Sequence, residues 1–225
     1  MKKLYTTIAV VLTLAGISMG SQLLASSQNP QPPAPAPVVP APVMPALKEL
    51  GALYLSGHEL GDAGIIARAP HFPAGMRELW LGKNNIGPAG ATAVAENLNR
   101  APDLLVIDLD NNHISVDGLR ALGQHLPAGL RRLFLKANNI GNAEIAALVE
   151  HSLPRKLELL NLQDNNIGDA GIIALAQSLK QNPINNRSML KLAGNEFGDE
   201  GKHALIDAGY HEGEAGWWVR NVPAG

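Results

Sequence analysis

The sequence predicts an α/β solenoid of about six strand-turn-helix repeats, and three observations carry that prediction. A nine-residue pattern, L-x-L-x-x-N-x-I-G, recurs six times. Its first half alternates with period two, as a strand buried on one face does, and the residues after it shift toward a helical period. The polar position of the pattern falls at His58, Asn84, Asn112, Asn138, Asn165 and Asn195, spaced by 26, 28, 26, 27 and 30 residues. A fixed period of about 20 to 50 residues marks a stacked array. Because such an array buries its core only between neighbours, it presents an extended surface suited to holding another molecule. Binding, not catalysis, is the expectation.

Each unit opens on a strand. Leu53, Leu79, Ile107, Leu133, Leu160 and Leu190 form one apolar column, and Leu55, Leu81, Leu109, Leu135, Leu162 and Leu192 form a second two residues later. Two residues past the polar position stand Leu60, Ile86, Ile114, Ile140, Ile167 and Phe197, followed by glycine in five copies and by Ser115 in the third. The chain turns there. Nine residues past the polar position every copy has alanine (Ala67, Ala93, Ala121, Ala147, Ala174, Ala204), followed by a large aliphatic residue except at Arg68. A small residue beside a large one predicts a helix lying close against the sheet, with Asp62, Asn142, Asp169 and Asp199 expected as caps near its start.

The stretch from Leu157 to Leu179, L-E-L-L-N-L-Q-D-N-N-I-G-D-A-G-I-I-A-L-A-Q-S-L, resembles the ribonuclease-inhibitor type of leucine-rich repeat. Repeats of NOD-like receptors and of the GTPase-activating protein for Ran are of this type. The resemblance covers about residues 47–210. It implies a right-handed arc, with parallel strands on the concave face and helices on the convex face. Function does not follow from it, since one scaffold serves inhibitors, sensors and regulators.

The asparagine column is expected to be scaffold: a side-chain amide can satisfy backbone groups where the chain leaves the strand. His58 reads as a tolerated substitution in the first turn. Asp108, Asp110 and Asn112 have calcium-loop spacing, but such a loop needs Gly at 113 and Glu at 119, where this chain has His113 and Leu119. Both aspartates are therefore expected to be solvent-facing strand residues. The seven histidines show no ligand spacing and no H-E-x-x-H. No phosphate-binding loop is present, and Asn186-Arg187-Ser188 fits a glycosylation sequon of low specificity. The reading is of a non-enzyme with no metal and no small-molecule cofactor.

Lys2 and Lys3 precede an uncharged, mostly apolar run from Leu4 to Gly20 and then small residues through Ser27, the layout of a secretory signal peptide. Cleavage after Ser27 is expected, with cleavage after Gly20 or an uncleaved anchor as alternatives. Membrane contact follows only from the anchor. Residues 28–46 form a Pro/Ala-rich linker, 47–210 the repeat domain and 211–225 a C-terminal cap around Trp217 and Trp218, which alternatively form a second contact patch. The linker's polyproline composition suits a spacer, with a groove ligand as the other reading. The chain has no cysteine, so its stability rests on the core instead of disulfides. The start and the missing disulfides suggest a protein exported to the periplasm of a Gram-negative bacterium or secreted from it. Net charge is −2, or −4 once Lys2 and Lys3 are removed, a poor match for nucleic acid.

The register also names a surface. Between the two apolar columns lie Tyr54, Trp80, Asp108, Phe134, Asn161 and Lys191, a row holding three aromatics. Exposed aromatics are enriched at binding hot spots. The candidate protein-binding site is therefore Tyr54, Trp80 and Phe134, flanked by Glu78, Asp108, Asp110, Arg132 and Lys136, for an unidentified protein or peptide. Six strands give a face of ~400 Å², about half the ~800 Å² per partner of a standard interface, so either the ligand is a peptide or loop, or repeat edges and the C-terminal segment contribute. The alternative is a structural or envelope-associated spacer without a specific ligand.

Overall fold

The computed structural model describes residues 51–220. The expected signal peptide, the linker and the first residues of the repeat domain lie outside the described residues. Where the alternating leucines stand, six three-residue strands form: β1 (Ala52–Tyr54), β2 (Glu78–Trp80), β3 (Val106–Asp108), β4 (Arg132–Phe134), β5 (Leu159–Asn161) and β6 (Met189–Lys191). They pair in parallel and in unbroken register, so that Leu53, Leu79, Ile107, Leu133, Leu160 and Leu190 line up across the sheet. Parallel neighbours need a crossover, and each is a helix: α1 (Gly61–Arg68), α2 (Pro88–Asn97), α3 (Val116–His125), α4 (Asn142–Val149) and α5 (Asp169–Gln181), with α6 (Asp199–Asp207) following β6. The 30-residue spacing before Asn195 is taken up by α5, which at 13 residues is the longest helix described. Strands sit ~4.8 Å apart while packed helices need ~8–10 Å, so the stack bends with the sheet inside.

The core is the space between sheet and helices. Both leucine columns are buried from β2 to β6, and the residues at the turn (Ile86, Ile114, Ile140, Ile167) close it. From the helices come Ile65, Leu119, Ile145 and Ile172, then Val94, Leu122, Leu148, Leu175 and Leu205 one turn later. Each fully buried aliphatic side chain stabilises by about 1.5–3 kcal/mol relative to exposure. The alanine column is not the surface that meets the sheet. Ala93, Ala121, Ala174 and Ala204 are only partly buried and Ala67 is exposed, with Ala147 buried, so most of this column lies on the helix flank while its aliphatic neighbours enter the core. Arg68, at the first aliphatic position, instead returns its guanidinium to the Gly64 carbonyl, 3.0 Å away.

The strands are short because the chain turns immediately after them. In all six copies the residue before the polar position has a left-handed backbone: Gly57, Lys83, Asn111, Ala137, Asp164 and Gly194, with φ from 52 to 75°. For an L-residue this conformation costs roughly 1–2 kcal/mol. The next residue offsets that cost. Asn165 donates through Nδ2 to the carbonyls of Leu162 in its own repeat and Leu135 in the preceding one, both at 3.0 Å. Its Oδ1 accepts the backbone N–H groups of Asn138 (2.9 Å) and Ile140 (3.0 Å). Asn112 makes the equivalent bonds to Leu109, Leu81, Asn84 and Ile86, and Asn84 does so to Leu81, Leu55, His58 and Leu60. Asn84, Asn112, Asn138 and Asn165 are buried.

A second inter-repeat contact corrects the capping expectation. Asp62, Asn142 and Asp169 do not cap their own helices; each caps the helix of the following repeat. Asp62 Oδ1 accepts from the N–H groups of Gly87 (2.6 Å) and Gly90 (2.9 Å) at the start of α2. Asn142 Oδ1 does the same for Gly168 and Gly171, and Asp169 Oδ1 for Gly198 and Gly201. A side chain at position 90 would meet Asp62 Oδ1 at 2.6 Å, which is why glycine stands there. Pro88 and Val116 occupy the capping position in the second and third repeats, and their side chains have no acceptor. At α4 Glu144 substitutes, accepting the Gly141 N–H at 3.0 Å. Among the described residues no further α-helix follows α6 for Asp199 to cap.

In place of a seventh repeat the chain forms a hairpin of β7 (Tyr210–Glu212) and β8 (Trp217–Arg220), giving the strand order β1-β2-β3-β4-β5-β6-β8-β7 with both last pairings antiparallel. Trp218 pairs with Leu190 and is buried, as is Tyr210, whose hydroxyl meets Ser188 Oγ at 2.8 Å. These two rings cover the last apolar face. Replacing a ladder residue should strand its buried partners: Asn138→Ala is expected to lower stability by about 1–3 kcal/mol. Asn165→Ala should cost more, because Asn138 Oδ1 accepts only one long bond, 3.5 Å from Ile114 N. Thermal melting checks both, and unchanged melting would contradict the ladder's structural role.

Candidate functional site

Leucines on either side of each strand's central outward residue point into the core, so period two sends that residue to the opposite face of the sheet. The row runs Tyr54, Trp80, Asp108, Phe134, Asn161, Lys191, and the antiparallel pairing of β8 extends it to Trp217. Tyr54 is 56% exposed and Trp217 36%, while Trp80 and Phe134 are half-buried. The half-burial has a cause in the row itself. Tyr54 stacks on Trp80 with ring centroids 6.0 Å apart, and Trp80 stacks on Phe134 at 6.2 Å. β2 and β4 are two strand spacings apart, about 9.6 Å, so these two rings lean toward each other across Asp108. Trp80 is held from the neighbouring row as well: its Nε1 donates to Glu78 Oε2 at 2.9 Å.

The two aspartates are not freely solvated, which corrects the sequence expectation. Asp108 and Asp110 are half-buried, and each carboxylate accepts a backbone N–H: Asp108 Oδ1 from Asp110 (2.8 Å) and Asp110 Oδ1 from Lys136 (2.7 Å). A side chain at position 82 would meet Asp108 Oδ2 at 3.0 Å, so Gly82 makes room for that carboxylate. Burial raises the pKa of Asp108, opposed by its hydrogen bond, and pushes that of Asp110 up to about 6, with the neighbouring Asp108 charge adding to the rise. Asn112, the third member of the calcium-like spacing, is committed to the ladder and points elsewhere. Among the described residues no group of three or more His, Asp or Glu converges as a metal site.

The predicted residues therefore split. Tyr54, Trp80, Phe134, Glu78, Asp108 and Asp110 come together on β1 to β4. Arg132 is exposed beside them, while Lys136 turns away, its Nζ 2.9 Å from Asp164 Oδ2, and that pairing raises its pKa. Asn161 is buried, at 5% exposure, although its row faces outward. The C-terminal segment, expected as a cap with a second contact patch as the alternative, extends the face past β6. Trp217 joins it with Lys191 Nζ 4.6 Å from its ring centroid, and Val219, paired with Met189, continues an apolar row from Leu159. The apolar run Trp217-Trp218-Val219 after Gly216 was the available signal. On the helical side, a cavity of about 620 Å³ between α3, α4 and α5 is lined by small and polar residues such as Ala146, Ser178 and Gln181 and by no aromatic residue.

Three stretches, residues 76–95, 101–123 and 154–176, match the Leucine Rich repeat family model. The chain is also similar to the Tonsoku-like protein of Mus musculus, 35% identical over 82 residues. That match takes in 34% of this chain and only 6% of the mouse protein. Together with the six register-matched strand-helix units, these matches support a leucine-rich repeat protein. Domains of this family generally act as protein-interaction scaffolds. Among the described residues no helix is long and apolar enough to cross a membrane.

The raised pKa of Asp110 has a signed consequence. Between about pH 6 and its ordinary value of 3.8, the folded protein holds a proton at Asp110 that the unfolded chain releases. This group therefore adds stability as pH falls through 6, and the gain is complete below about pH 4. The melting temperature of the parent, measured against Asp110→Asn, should rise between pH 7 and pH 4.5. Identical responses of the two proteins would contradict the assignment.

Proposed function

We propose that this protein binds a protein or peptide partner on the outer face of its sheet and performs no chemistry there. One observation carries the reading: the Tyr54–Trp80–Phe134 stack stands on the face that the repeats leave open, with Tyr54 at 56% exposure. Large apolar rings are costly to leave in water, and they contribute most to affinity where a partner excludes it. Eight strands at ~4.8 Å give a face about 34 Å long, which suits an extended segment or a loop better than a broad globular surface. The basic and apolar layout of residues 2–27 supports export as the setting, with a mature chain beginning at Gln28 as the expected result of N-terminal sequencing; an intact Met1 would contradict cleavage.

The binding test compares face variants with a helical-side control. Trp80→Ala and Phe134→Ala, once circular dichroism shows them folded, should weaken a partner recovered with the parent protein by about 2 kcal/mol, roughly thirtyfold in Kd. Gln177→Ala should bind as the parent does. Calorimetry showing parental affinity in both aromatic variants would exclude the sheet face as the site.

A further inference from the structure

Charge divides the outer face into two halves. Glu78, Asp108 and Asp110 stand on or just after β2 and β3, while Arg132, Lys136 and Lys191 stand on or just after β4 and β6. Two of the three cations are engaged within the protein. Lys136 pairs with Asp164 at 2.9 Å, and Lys191 lies over the Trp217 ring. The acids are differently placed. Among the described residues neither Asp108 nor Asp110 forms an ion pair; each accepts one backbone N–H. Lys136 makes this plain, since its backbone N–H is bound to Asp110 while its ammonium goes to Asp164. A half-buried carboxylate without a cation is costly to keep ionised, and here two lie beside an aromatic stack whose outermost ring is open. Aromatic faces attract cations, and arginine stacks on them while offering its N–H groups to carboxylates.

Resting on the binding role proposed above, we infer that the sheet face takes a partner segment through a basic residue, arginine or lysine. That residue is held between the Tyr54–Trp80–Phe134 stack and the carboxylates of Glu78, Asp108 and Asp110. The charge division also sets the segment's direction, with its basic residue over β2 and β3 and any acidic residue toward Arg132 on β4. Asp110 gives the interaction a pH dependence. The charged groups acting on it are Asp108 at the end of β3, Lys136 after β4 and Lys191 on β6, and its pKa stands at about 6. A docked cation favours the ionised form, so binding weakens as pH falls from 7 to 5.

The probe is a displayed library of random dodecapeptides, selected on the immobilised parent protein, each enriched sequence then being scored for binding to Trp80→Ala. Enriched sequences should carry arginine or lysine well above its frequency in the starting library. Synthetic peptides from that set should lose at least tenfold in affinity for Asp110→Asn, whose amide oxygen can still accept the Lys136 N–H and keep the turn intact. Affinity for the parent should fall between pH 7 and pH 5, and affinity for Asp110→Asn should not. Enrichment of Trp80-dependent peptides with no basic excess would overturn the inference and leave the sheet-face reading standing. Enrichment only of peptides indifferent to Trp80→Ala would overturn both.

Discussion

A side-chain amide after each strand from β2 to β6, buried after four of them, is the interaction on which the rest of this protein depends. It joins two repeats at once, because Asn165 donates to carbonyls in its own strand and the preceding one and accepts N–H groups from the preceding turn. The turn it stabilises is an unfavourable one, left-handed at Lys83, Ala137 and Asp164, where no glycine relieves it. Backbone groups buried in such a turn need partners. Only a residue with donors and an acceptor on one short side chain supplies them from this position, and asparagine does. Strand length, register and the direction of the outward row all follow from where that turn falls.

Bonding between neighbours has a consequence for how stability is distributed. The amide ladder runs from each repeat back to the one before it, while the caps of Asp62, Asn142 and Asp169 run forward to the next helix. Units are thus completed by their neighbours, by the ladder throughout and by a forward cap at three junctions, the property of a one-dimensional array. The ends need separate solutions. At the C-terminal end the β7–β8 hairpin provides one, burying Trp218 and Tyr210 where the next repeat's leucines would otherwise stand. The same hairpin sets Trp217 on the outer face, so closing the core also lengthens the binding surface.

Much of this was legible in the sequence. The two leucine columns and the asparagine column fix the strands and their register, since a slip of one residue would turn every leucine outward. What was not legible depends on contacts between residues about one repeat apart. Asp62 reads as a cap of the helix it sits in, and only the close approach of Gly90 reveals the helix it caps. Asp108 reads as an exposed strand residue because pattern gives the face and not the lean of Trp80 and Phe134 across it. The unpaired state of Asp110 was hidden for a similar reason: the lysine next to it in the sheet has an alternative partner in Asp164.

Hydrogen exchange under native conditions tests the central claim most directly, read at the N–H groups of Ile86, Ile140 and Ile167, which donate to asparagines of the following repeat at 3.0, 3.0 and 3.1 Å. If the ladder holds the array together, these amides exchange only when the domain unfolds, with the same opening free energy as the buried amides of the central strands. Exchange through local fluctuation, at rates near those of exposed loops, would show that the turns open without the repeats separating and would contradict the account.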